Sequence, residues 1–194
     1  PLDIHALFAE FDDEGLISKR SFDRCIRKLT HGRTLTGEEK EVFSRILSSV
    51  FYGFDRAETE SVDLAELACG FSILCSGSKS AKLAFAFDLM DDDSDGCLTR
   101  RGLWRYLRSF LAVLLTLSEV ALDLATEDMS HACDSAALAV CAQLFQYLEK
   151  RDSGKSVFAV SFDDIADWYT DGGYAAAPWL ELLDVCKWQL LLQS

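Results

Sequence analysis

The chain has 194 residues, of which 49% are hydrophobic and 26% charged; this excludes general disorder and leaves room for one large domain or two small lobes. A formal net charge of −13 excludes nucleic-acid binding through phosphates, which requires a basic surface. The seven cysteines, Cys25, Cys69, Cys75, Cys97, Cys133, Cys141 and Cys186, include no CxxC pair, so a zinc site is not expected and a reducing, cytoplasmic compartment is.

Helical spacing of apolar residues dominates, and the only prolines are Pro1 and Pro178, so the chain reads as all-α. The first helix–loop–helix unit enters through Leu7, Phe8 and Phe11, turns at Gly15-Leu16-Ile17-Ser18 and leaves through Phe22, Cys25 and Ile26. Counted from Phe11 its loop is two residues short, so Asp12, Asp13 and Glu14 read as solvent-facing acids. The second unit enters through Phe43, Ile46, Leu47 and Val50 and has a loop of full length from Asp55 to Glu66. Ala57, Thr59 and Glu60 stand where two further acids and a glycine would be needed to hold a cation. A non-glycine residue at the sixth position must also adopt a left-handed backbone. This loop is expected to be structural.

The third unit, entered through Leu83, Phe85, Phe87 and Met90, carries the most informative stretch, Asp91-Asp92-Asp93-Ser94-Asp95-Gly96-Cys97-Leu98-Thr99. Carboxylates at the first, third and fifth positions converge on one hard cation, and the glycine at the sixth permits the sharp turn. The expected ligands are Asp91, Asp93, Asp95, the backbone carbonyl of Cys97 and, through water, Thr99. Gly102 occupies the twelfth position, where a bidentate Glu belongs. The site is therefore expected to bind Ca²⁺ weakly, with Mg²⁺ competing. The fourth unit enters through Val140, Leu144, Phe145 and Leu148 and resumes at Val160, but four extra residues, Ser156 to Ala159, and Arg151 at a ligand position argue against metal there. Pairing of loops at their eighth positions would join Ile17 to Val62 and Leu98 to Val160. The segment from Ser118 to Ala139 is long for a connector and is expected to hold an additional helix.

These motifs resemble the neuronal calcium sensor and potassium-channel-interacting protein branch of the EF-hand superfamily. The likeness is strongest from Phe54 through Leu103, above all in Gly70-Phe71-Ser72-Ile73-Leu74-Cys75-Ser76-Gly77 and in the run Lys82 to Asp91. It implies four EF-hand-like units in two paired lobes, 1–78 and 79–194, joined near Ser76 to Ser80. It also implies a target helix bound in an apolar groove. An extra C-terminal helix starts at Pro178, with Trp179, Leu182, Leu183, Cys186 and Leu190 on one stripe and Trp188 beside it.

The function expected is a calcium-sensor-like regulatory or protein-interaction module; the alternative is a metal-independent EF-hand scaffold. Candidate groove residues are Trp104, Tyr106 and Phe110, together with Phe51 and Tyr52, and Trp179 and Leu183 from a C-terminal helix that either completes the core or occupies the groove. Arg101, Arg105 and Arg108 share a helix face and suggest an acidic partner or anionic lipid. Catalysis is not expected, because His5, His31 and His131 are the only histidines and no nucleophile–base or phosphate-cradling pattern occurs. The longest apolar run, Phe110 to Leu117, is too short to span a bilayer. The start at Pro1, without an initiator methionine or a myristoylation signal, suggests a piece of a longer protein.

Overall fold

The computed structural model describes residue 8 and residues 14–32, 34–122, 126–152 and 155–184. Each short loop strand is followed at once by a helix whose first turn is capped by the strand's last residue. Strand β1 (Leu16–Ser18) leads into α1 (Lys19–Thr30), and Ser18 accepts a hydrogen bond from the Ser21 N–H. Helix α2 (Gly37–Phe54) opens with a reciprocal capping box between Thr36 and Glu39. Strand β2 (Ser61–Asp63) leads into α3 (Leu64–Phe71), capped by Asp63. A 3₁₀ turn, Ser72–Leu74, connects to α4 (Lys79–Met90), capped by Ser78. Strand β3 (Cys97–Thr99) then starts α5 (Arg100–Leu122), which lies antiparallel against α6 (Thr126–Arg151). Strand β4 (Ala159–Ser161) starts α7 (Phe162–Thr170), and 3₁₀ segments Gly173–Ala175 and Pro178–Leu183 follow.

The loops pair in the register that their eighth positions dictate. β1 and β2 are antiparallel with Ile17 opposite Val62, and β3 and β4 with Leu98 opposite Val160. All four of these side chains are buried. Behind the bridges the apolar faces form one continuous core. Phe8, Phe22, Phe51 and Phe71 make its aromatic centre on one side, and Phe87, Tyr106, Phe110 and Phe162 on the other. Helix α3 lies so close to α5 that a Cβ on Gly70 would strike the Ser109 carbonyl, the Phe54 ring and Val113.

Three sequence expectations are corrected. The segment from Ser118 to Ala139 holds no separate helix among the described residues; α5 and α6 themselves run into it from both sides. Phe43, expected on the entering face of α2, is exposed, as is Val42, and the buried face of this helix begins only at Leu47. The C-terminal segment is 3₁₀ rather than α-helical from Pro178 to Leu183. Its buried positions are accordingly Leu180 and Leu183, three apart, while Leu182 is exposed and Trp179 half-buried. Cys186, Trp188 and Leu190 lie outside the described residues, as do Leu7 and Phe11 to Asp13 of the first unit.

Candidate metal centre

Helix α4 stops at Asp91, whose carboxylate turns back to fasten the loop it opens. One oxygen accepts from the Gly96 N–H at 2.8 Å and the other from the Asp95 N–H at 3.2 Å. Asp95 in turn accepts from the Cys97 N–H at 2.8 Å. Ser94 and Gly96 take left-handed conformations, with φ of +57° and +80°, and these reversals fold the alternate carboxylates inward. Oxygens of Asp91, Asp93 and Asp95 consequently lie within 4.8 Å of one another. Three hard anionic oxygens at this separation suit Ca²⁺ or Mg²⁺ and no soft metal.

The remaining expected ligands sit at the loop's exit. The Cys97 thiol is pushed above its ordinary pKa by burial and by the negative field of Asp95, Asp164, Asp91 and Asp93. It stays protonated, so its sulfur is no donor for a hard cation and the backbone carbonyl is the available group. Thr99 accepts from the Gly102 N–H at 3.2 Å, which caps α5 and fixes the hydroxyl beside the loop. Gly102 brings no side chain. A Cβ there would meet only Leu98 and the Met90 carbonyl at 3.6 Å, so the glycine is not demanded by packing.

The second loop copies this backbone without its chemistry. Buried Asp55 accepts from the Thr59 and Glu60 N–H groups at 2.9 and 2.8 Å, as Asp91 does in its own loop. Glu58 and Glu60 take φ of +53° and +55°, the left-handed strain expected where glycine is absent. Glu66, at the twelfth position, is turned to two arginines: Arg105 Nε lies 2.8 Å from one oxygen and Arg56 3.5 Å from the other. Arg105 also binds Asp63 at 2.9 Å and Asp92 of the third loop at 3.3 Å. Burial opposes its charge, but the Glu66 hydrogen bond and the fields of Asp63, Glu66 and Asp92 outweigh this and hold its pKa above the ordinary value. One guanidinium thus ties the second loop to the third. No spacing rule marks Arg105 for this role, because Glu66 and Asp63 lie 39 and 42 residues upstream.

The basic face expected from Arg101, Arg105 and Arg108 is therefore not free for a partner. Arg108 is 1% exposed, with Nε 2.6 Å from Asp134 and one terminal nitrogen without a hydrogen-bond partner among the described residues. Arg100 pairs with Glu149 at 2.9 Å and lies over the Phe145 ring. Arg101 is exposed and, unlike Arg100, Arg105 and Arg108, makes no ion pair among the described residues. Of the candidate groove residues, Tyr106 and Phe110 are fully buried core, and the Tyr106 hydroxyl donates to the Leu83 carbonyl. Trp104 is half-buried between Arg56 and Arg108 and donates from Nε1 to the Asp134 carbonyl. It lines a cleft of about 500 Å³ with Arg100, Arg101, Asp134, Ser135 and Leu138.

The C-terminal 3₁₀ segment is held on α4 and α7 by polar contacts, those of Lys82 buried and those of Glu181 partly so. Lys82, 4% exposed, donates to the carbonyls of Ile73 and Leu183 at 2.8 and 2.9 Å. Glu181 pairs with Lys79 and accepts from the Tyr169 hydroxyl at 2.8 Å. Leu183 thus belongs to the core, and Trp179 packs against it.

No family model matches the chain. Among curated proteins it is 27% identical over 124 residues to guanylyl cyclase inhibitory protein of Lithobates pipiens, covering 61% of this chain and 56% of that protein. It is 26% identical over 117 residues to calcium-binding protein NCSA of Dictyostelium discoideum, covering 59% of this chain and 58% of that protein. The chain thus spans less than two thirds of the length of either relative. Both likenesses accord with the loop motifs and the paired-loop fold: the chain resembles the calcium-sensor branch of the EF-hand superfamily.

Proposed function

We propose that this chain is a non-catalytic, calcium-responsive regulatory module, built as EF-hand pairs over 1–78 and 79–194, with one weak divalent-cation site in the loop from Asp91 to Gly102. The observation that carries this reading is the convergence of the Asp91, Asp93 and Asp95 oxygens in a loop already braced by Asp91. The names of the two relatives, an inhibitory protein and a calcium-binding protein, support it. Asp91, Asp93 and Asp95, the Cys97 carbonyl and water on Thr99 would hold the ion. Without the bidentate twelfth ligand, affinity falls below the roughly 10⁻⁷–10⁻⁵ M of sensor sites, and Mg²⁺ competes. The finer elements of the reading are a reducing, cytoplasmic setting and a helical protein target, for which Trp104 and Trp179 are the accessible aromatic contacts. Titration calorimetry tests the site: Gly102→Glu tightens Ca²⁺ binding by about tenfold or more, and Asp91→Ala abolishes it. Sub-micromolar binding that survives Asp91→Ala would refute the assignment.

A metal-independent scaffold is the second reading, and one observation favours it for the N-terminal half. Glu66, Asp63 and Asp92 already surround a fixed cation, the Arg105 guanidinium. The carboxylate at the twelfth position of the second loop is thereby engaged by arginine rather than turned to an ion.

A further inference from the structure

Arg101 stands between two concavities. On one side is the cleft of Trp104, Ser135 and the exposed Leu138. On the other is a cavity of about 490 Å³ whose wall includes Thr99 and Gly102, the ninth and twelfth loop positions. In an EF-hand loop both positions are turned toward the cation, and the twelfth supplies a carboxylate that grips it with two oxygens. Here the twelfth residue has no side chain, and Leu98 and the Met90 carbonyl leave room for one. Arg56 and Arg105, which also line this cavity, are engaged by Glu66, Asp63 and Asp92. Arg101 is the cavity's one guanidinium without an ion pair among the described residues.

We propose that the cation bound by Asp91, Asp93 and Asp95 takes its last two oxygen ligands from outside the chain. The donor is the carboxylate of an acidic side chain on a partner polypeptide, held against Arg101, with an apolar neighbour of that side chain in the Trp104–Leu138 cleft. This rests on the cation-site reading above and deepens it. A hard cation lacking ligands favours an anionic oxygen over water, and a guanidinium at the edge of the gap selects a carboxylate by charge and by its paired donors. A membrane surface fits less well. Arg100, Arg105 and Arg108 are all paired within the chain, and a net charge of −13 is repelled by anionic lipid. One carboxylate needs only the local pair of cation and Arg101, and the apolar cleft beside it suits a side chain rather than a headgroup. Calcium would then act as the bridge itself, with no opening of a groove required.

Terbium in place of calcium tests this, because its luminescence lifetimes in H₂O and D₂O count the waters on the ion. The probe is a short blocked peptide with one glutamate next to a leucine, and its glutamine counterpart is the control. The intact chain keeps about two more terbium-bound waters than Gly102→Glu. The glutamate peptide removes them from the intact chain and not from Gly102→Glu, and the glutamine peptide removes none. Arg101→Ala, a change on the exposed surface, weakens the glutamate peptide by about tenfold and leaves terbium affinity unchanged. Terbium binding with a water count indifferent to the glutamate peptide overturns this inference and leaves the cation site standing. Absence of terbium binding overturns both. Water displacement by phosphatidylserine vesicles, but not by the peptide, overturns the polypeptide assignment in favour of a lipid headgroup.

Discussion

Gly70 and Gly102 both lie in helices, and their surroundings predict opposite responses to a side chain. At Gly70 a Cβ would sit 2.7 Å from the Phe54 ring and 2.9 Å from Val113, besides pressing on the Ser109 carbonyl of α5. That last contact is backbone in a packed helix and cannot swing aside, so Gly70→Ala should cost about 1–3 kcal/mol despite alanine's better helix propensity. A urea titration checks this: the midpoint falls with an unchanged slope. At Gly102 the same substitution meets only ordinary contacts, and the helix is expected to tolerate it. The sequence carried the hole in the third loop openly, since Asp91, Asp93, Asp95 and Gly102 are placed by counting alone. It concealed Arg105 and Arg108. Their faces are readable from helical spacing, but whether such a face meets water or carboxylates depends on Asp63, Glu66 and Asp134, which other helices bring to it.

Among the elements, the two loop bridges were the most legible, because the second and third loops have full length and fix Val62 and Leu98 at the eighth position, and an aliphatic residue, Ile17 or Val160, follows the turn of each partner loop. The C-terminal segment was less so. Pro178 correctly marks a helical start, but Leu180 and Leu183 bury at a spacing of three, which fits a 3₁₀ turn better than an α-helical stripe. The polar clamp on this segment gives it a pH dependence. The Tyr169 phenol donates to Glu181, and burial together with that carboxylate raises its pKa above the ordinary 10.0. The unfolded chain ionises the phenol near 10 and the folded chain resists doing so. The contribution of Tyr169 is therefore complete below that pH and is lost as pH rises through the folded pKa. Thermal midpoints of the intact chain should fall more steeply from about pH 9 to 11 than those of Tyr169→Phe. Equal slopes would show that the clamp carries no stability.

At the scale of the whole molecule, the core is continuous from Phe8 and Phe22 to Trp168 and Leu183. Pairing of the loops is expected from EF-hand units; the close approach of α3 to α5 at Gly70 and the ion pairs of Arg105 do not announce themselves in local pattern. No helix among the described residues is long and apolar enough to cross a membrane. Because one loop alone presents a carboxylate cluster among the described residues, removal of metal should leave the fold intact. Far-ultraviolet circular dichroism in chelator is expected to keep its helical signal, with a modest fall in melting temperature set by site occupancy. Collapse of the signal would mean that the Asp91 loop is essential to folding.

The antiparallel contact of α5 with α6 has a consequence for how the chain reaches this state. Arg108 meets Asp134 across 26 residues, whereas the strands join residue 17 to residue 62 and residue 98 to residue 160. Closing the shorter span forfeits less chain entropy, so the helical pair should assemble before either bridge and offer the surface on which α2 and α3 settle. Phe145, fully buried on α6 beneath Arg100, then belongs to the nucleus, and Ile17 in the first bridge does not. Stopped-flow refolding should find Phe145→Leu slowing the forward rate and Ile17→Val chiefly quickening unfolding. The reverse assignment would place the nucleus in the N-terminal bridge. If the helical pair does form first, a chain emerging from the ribosome holds residues 16–63 without a lasting partner until α5 and α6 have been made, and its N-terminal half is the part exposed to proteases and to pairing with other chains in that interval.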